Sequence, residues 1–194
     1  MDALSADENN ERRLLEATGQ ADREAFSRLY RRYEARVYGY ARNFVRDSGL
    51  AEDLVVETMT AVWDGARTFD GRSRVSTWIL GIARHKAIDA VRARTRQPAT
   101  VQVDAAHEVV CPAVGPMESA DAEQLARYTQ RALESLSAEH REILRLAFYE
   151  ELPYEEIAQL LQIRPNTVKT RVFYAKKSLK DHLLTLEGAE SAER

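Results

Sequence analysis

The chain has 194 residues, 44% of them hydrophobic and 30% charged, and 28 Lys+Arg against 31 Asp+Glu leave a formal net charge of −3. That length admits one domain or two small ones, and the composition suits a globular chain rather than a disordered one. A single cysteine, Cys111, excludes an internal disulfide and, with four histidines, a two-Cys/two-His zinc site. The longest apolar run is far short of the ~20 residues that span a bilayer, and the start MDALSADENNERR is acidic, unlike a secretory signal. The expectation is a cytoplasmic protein with no membrane insertion, no metal and no cofactor.

Residues 1–22 read as an acidic N-terminal segment. From Arg23 the pattern is helical. Phe26, Leu29, Tyr30, Tyr33, Val37, Tyr40, Ala41 and Phe44 recur at steps of three and four, which makes one apolar stripe. Leu50, Leu54, Val55, Met59, Val62 and Trp63 make a second, with Gly49 fitting the break before it. The turn ARTFDGRSR follows, where Asp70-Gly71 is a turn signal. A third stripe runs through Val75, Trp78, Ile79, Ile82, Ala83 and Val91, with Ser73 or Ser76 as the N-cap.

The composition changes at Gln97. Residues 97–117 hold Pro98, Pro112, Pro116 and Gly115 without a helical stripe and read as a flexible linker, acidic and containing proline. Helices resume near Glu118. Ala122, Leu125, Ala126, Thr129, Leu133 and Leu136 form one stripe, and Ile143, Leu144, Ala147 and Phe148 the next, started by Ser137 as N-cap. Pro153 opens a short helix with Glu155 and Glu156 in its first turn, where the helix dipole favours anions. Pro165 opens the last helix, which reaches about Leu184 and leaves a frayed tail at 187–194. The fold class is therefore all-α: two small helical domains at 23–96 and 118–186, joined by the linker, the second ending in a helix-turn-helix.

Charge is unevenly spread. Residues 72–96 hold seven Lys or Arg against the lone Asp89, residues 163–180 hold six with no acid, and residues 97–124 hold five acids with no Lys or Arg. Two basic blocks with an acidic one between them suggest two surfaces for a polyanion, although a basic block is also compatible with a solvated helix face. Tyr154 to Leu179 has helix-turn-helix spacing: a short helix, a tight turn plugged by Ile163, and a longer basic helix. In such a unit the start of the second helix enters the major groove. Here it carries Pro165, Asn166, Thr167, Lys169, Thr170 and Arg171, while Val168, Val172 and Ala175 face inward. Asn pairs with adenine, and Arg or Lys with guanine.

These residues also carry a family likeness. ALESLSAEHREILRLAFYEELPYEEIAQLLQIRPNTVKTRVFYAKKSLKDHL resembles the region 4 domain of bacterial sigma factors of the extracytoplasmic-function (ECF) type. FSRLYRRYEARVYGYARNFVRDSGLAEDLVVETMTAVWDGARTFDGRSRVSTWILGIARHKAIDAVRAR resembles their region 2 domain, and both lie in the family's order. The sequence departs from the usual pattern at Val56 (commonly Gln), His85 (commonly Asn), Arg164 (a small cap) and Gln162 (a turn glycine).

The resemblance implies a promoter-specificity subunit that binds core RNA polymerase at the β′ clamp and β flap, engages promoter DNA and helps melt it. It also implies control by an anti-sigma factor. The −35 element would be met by Arg164, Asn166, Thr167, Lys169, Thr170, Arg171 and Lys177. The −10 element would be met by Phe69, Asp70, Arg72, Ser73, Arg74, Arg84, His85, Lys86 and Arg92, with the turn Phe69–Arg74 capturing a flipped base. Asp53, Leu54, Val56 and Glu57 would dock on the polymerase. Asp53 and Glu57 share a helix face, but no third ligand or histidine accompanies them, so neither catalysis nor metal binding is expected there. Nor does a Gly-rich phosphate loop or nucleophile-base arrangement mark an enzyme. Trp78 lies on the apolar stripe and can serve as core or as a stacking ring. The alternative function is a stand-alone helix-turn-helix regulator of operator DNA, which leaves the first basic block and the DGRSR turn without a role.

Overall fold

Three helix starts in this chain are set by short polar side chains. Asp22 accepts hydrogen bonds from the Glu24 and Ala25 amides, Asp47 from Leu50 and Ser137 from His140. Each satisfies an amide that the helix itself leaves without a partner. The Leu50 amide, and then the Arg94 guanidinium, hold the Asp47 carboxyl below the usual aspartate range.

The structure is a computed structural model that describes residues 2–96 and 129–193. The expected linker, with His107 and Cys111, and the first half of the stripe after it lie outside the described residues. The chain divides into two compact units, residues 1–106 and 107–194. The described elements are helical, in keeping with the all-α reading.

In the first unit the helices are α1 (Asp2–Gly19), α2 (Arg23–Ala41), α3 (Ser48–Gly65) and α4 (Val75–Arg96), with a 3-10 turn at Ala66–Thr68. Helix α2 packs against α1, α3 and α4, and α3 against α4. Leu29, Tyr33, Val37, Tyr40, Met59, Val62, Ile79 and Leu80 are fully buried between them. Burying apolar surface at about 25 cal/mol per Å² is what holds such a bundle together. Three details depart from the sequence pattern. The break before α3 is closed by Asp47, so Gly49 falls inside the first helical turn. Val91 is 40% exposed, because the inner stripe of α4 continues through Ala83 and Ala87 instead. Residues 2–19, which the pattern left without an element, are the helix α1.

In the second unit, helical residues 129–135 (α5) precede α6 (Ala138–Leu144), a π-helical turn at Arg145–Tyr149, α7 (Tyr154–Leu161) and α8 (Pro165–Glu193). Helices α6 and α7 both pack on α8, with Ile143, Leu146, Ile157, Val168 and Ala175 fully buried. The π turn carries an extra residue and so rotates the inward face. Leu146 is buried where continuous α-periodicity pointed to Ala147 and Phe148, and Phe148 is 53% exposed. Helix α8 runs on to Glu193, through residues expected to fray.

Candidate nucleic-acid interface

The loop between α3 and α4 is shaped by two local devices. Gly71 stands at φ 72°, in the left-handed region that glycine enters at no steric cost. Asp70 accepts from the Arg72 amide (3.1 Å) and pairs with the Arg72 guanidinium (2.5 Å), which together hold its carboxyl below the usual range. Phe69 is half-buried, its ring 5.4 Å from that of Trp78. Trp78 is thus neither a core residue nor fully exposed. The expected caps do not act as such here: the Ser73 hydroxyl donates to the Arg74 carbonyl (3.3 Å), and Ser76 is buried inside α4.

Beside this turn lies a cavity of about 230 Å³. Ala66, Phe69, Asp70 and Gly71 form one side of it, and Arg12, Leu15 and Glu16 of α1 form the other. Arg12 donates from Nη1 to the Gly71 carbonyl and from Nη2 to the Ser73 carbonyl, each at 3.2 Å, and its guanidinium lies 5.9 Å from the Phe69 ring centre. An opening of this size, with an aromatic ring, carboxylates and a guanidinium around it, has the chemistry to take a planar heterocycle.

The rest of the cationic set continues along α4. Arg84 and Lys86 are half-buried, and His85 and Arg92 are exposed. Several cations are already paired. Lys86 Nζ lies 3.3 Å from Glu57 Oε2 of α3, Arg92 lies 3.7 Å from Asp89, and Arg94 lies 3.0 Å from Asp47. Exposed pairs of this kind contribute at most about 1 kcal/mol, so a phosphate can displace the acid. On α3, Asp53, Val56 and Glu57 are exposed on one face, Val56 at 56%. Leu54 is 2% exposed and turned into the core, so it supports that face and is not on it.

In the second unit, α7 ends at Gln162 in the left-handed conformation (φ 57°, ψ 43°), which turns the chain toward α8. Val168, Val172 and Ala175 are buried and fix the rotation of α8. Its opposite side presents Arg164, Asn166, Lys169, Thr170 and Lys177 to solvent, with Thr167 and Arg171 half-buried. Arg171 pairs with Glu139 at 3.5 Å. All seven expected residues thus lie in the turn or on α8, with none in the core.

The sequence pattern does not mark Arg12 and Glu16, because the acidic segment carrying them has few large apolar residues, chiefly Leu4, Leu14 and Leu15. It also missed the exposed aromatics Tyr149, Phe173 and Tyr174.

Two cation-bearing helical units, one with a helix-turn-helix and the other with a turn beside a cavity, have the chemistry of a protein that engages a polyanion such as DNA. The comparisons make that class specific. Residues 29–97 match the family described as Sigma-70 region 2, and residues 126–179 match Sigma-70, region 4. The chain is 30% identical over 177 residues to the ECF RNA polymerase sigma factor SigK of Mycobacterium ulcerans, covering 88% of this chain and 91% of that one. The same figures hold for SigK of Mycobacterium tuberculosis strain H37Rv. In fold it resembles CnrH, solved in complex with the cytosolic domain of CnrY (TM-score 0.64, 22% identity, 91% of this chain and 98% of that one). It also resembles the sigma factor RpoE of Bartonella quintana, solved with the anti-sigma factor NepR (TM-score 0.63, 24% identity, 81% and 96%). The chain belongs to the ECF RNA polymerase sigma factors. It is a sigma factor, not a stand-alone operator-binding regulator, and no helix among its described residues is long and apolar enough to cross a membrane.

Proposed function

We propose that the two units divide promoter recognition as follows. The exposed α3 face of Asp53, Val56 and Glu57 docks on the clamp of core polymerase. The Phe69–Arg74 turn takes an unpaired base of the −10 element into the cavity beside it, and Arg84, Lys86 and Arg92 hold the phosphates of the departing strand. Arg164, Asn166, Thr167, Lys169, Thr170, Arg171 and Lys177 engage the −35 duplex. The chain makes and breaks no covalent bond and acts in the cytoplasm, where polymerase is. A partner of the kind seen with RpoE, an anti-sigma factor, holds it inactive.

The observation that carries this reading is the cavity of about 230 Å³ at the turn, next to a helix carrying Arg84, Lys86 and Arg92. Extruding a base costs a few kcal/mol of stacking and pairing, and phosphate contacts alone cannot choose which base leaves. A cavity with polar walls can choose. The test is in vitro transcription from a promoter panel. Core polymerase with this protein should start transcripts at defined sites, and neither alone should. Absence of defined starts with both present overturns the reading.

A further inference from the structure

The turn proposed to read the base is held by a residue that lies outside the segment matching the region 2 family model. We propose that Arg12 of α1 is a positioning residue for the cavity: its two hydrogen bonds to the Gly71 and Ser73 carbonyls set the shape of the turn and thereby the choice of −10 base. The inference rests on the reading that the turn receives an unpaired base.

Five observations carry it. Arg12 bridges a separation of 59 residues, and its planar fork reaches two carbonyls on either side of Arg72, so it fixes the orientation of the turn as well as its distance. The fit is tight, since a Cβ on Gly71 would come within 2.9 Å of Arg12 Nη1. Helix α1 is anchored at both flanks of this contact. Glu8 pairs with Arg12 (3.3 Å) and lies 3.9 Å from Arg74, and Arg67 of the 3-10 turn donates to the Gly19 carbonyl at 2.5 Å. Three of the residues around the cavity belong to α1, so a shift of the turn against α1 changes its width directly. The family match begins at residue 29, so α1 adds a wall that the matched region does not supply.

The experiment uses the full chain with core polymerase and promoters carrying each of the four bases at each −10 position. The variants are Arg12→Ala, Arg12→Lys, the exposed neighbour Arg13→Ala, and Asp70→Ala in the turn itself. Arg12→Ala is expected to flatten the preference for the best −10 base roughly fivefold or more, while dependence on the −35 sequence stays as in the parent. Arg12→Lys should fail to restore it, because an ammonium keeps the charge but not the two-pronged geometry, and Arg13→Ala should match the parent. Full rescue by Lys would make Arg12 a general cation and overturn the proposal. If Asp70→Ala alters base preference and neither Arg12 variant does, the turn reads the base without Arg12, and this inference alone falls. If none of the variants in the turn or at Arg12 alters it, the turn reading falls and this one with it. Loss of −35 dependence or of the parent's thermal transition in both Arg12 variants would show that Arg12 holds the fold and nothing more, which also overturns the proposal.

Discussion

Gln162 holds a left-handed conformation that costs a residue with a Cβ roughly 1–2 kcal/mol. Glycine avoids that strain but loses more backbone entropy on folding, about 0.4–1 kcal/mol. Gln162→Gly is therefore expected to stabilise the second unit by up to about 1 kcal/mol, seen as a raised midpoint in urea at unchanged slope. A lower midpoint would mean that the glutamine side chain contributes more than its backbone costs. At the same scale, Lys169 and Arg171 differ in surroundings, since Arg171 already has Glu139 as a partner and Lys169 is exposed. Alanine at a phosphate contact weakens all sequences alike and reduces the salt slope by about one, whereas alanine at a base contact costs ~1–3 kcal/mol and relaxes one position. Both substitutions should weaken −35 binding, measured by competition among promoter variants at two salt concentrations. Equal binding by parent and both variants would leave α8 as a solvated face.

At the scale of the element, α3 separates what it buries from what it shows. Leu54, Val55, Met59 and Val62 face inward, while Asp53, Val56 and Glu57 face out. Reversing both charges, Asp53→Lys with Glu57→Lys, should lower affinity for core polymerase in a titration and leave the helical circular dichroism intact. The change at Glu57 also removes the partner of Lys86, but an exposed pair is worth too little to unfold the unit. Parent-like affinity would take α3 out of the interface.

Helices of this kind were legible from sequence because each buries a regular apolar stripe. Helix α1 was not, because much of its inner side is polar: Glu11 is 6% exposed and Thr18 2%, the latter donating to the Leu14 carbonyl. Glu11 answers Arg32 of α2 at 2.7 Å, and hydropathy periodicity does not register a face held by ion pairs. The π turn escaped for a different reason. One extra residue per turn shifts the phase of the stripe, and nothing in the residue types of Arg145–Tyr149 announces it. The Asp-Gly turn was visible as a turn, but its partner Arg12 was not, since side-chain contacts across 59 residues leave no local pattern.

For the whole molecule, the two units are expected to fail in different ways. Neutralising Arg84, Lys86 and Arg92 together should impair transcription from duplex promoters more than from templates already unpaired across the −10 element, because the cost of separating strands has then been removed. Damage to α8 should impair both templates alike. Run-off transcription on matched duplex and pre-melted templates separates the two outcomes, and equal impairment of both templates by the triple change would deny the α4 cations a part in opening.

The contact of α1 with the loop after α3 also decides how this chain can be recombined. A chimera joined at residue 23, where the helical stripes begin, would pair a donor's α2–α4 with a foreign first helix. Its Gly71 and Ser73 carbonyls would then face whatever side chain that helix offers in place of Arg12. With Arg12 setting the turn as proposed, a graft meant to carry −10 specificity would have to start ahead of Glu8, taking the acid that pairs with Arg12 along with it. In such hybrids promoter choice would then be inherited with the first helix as well as with the loop.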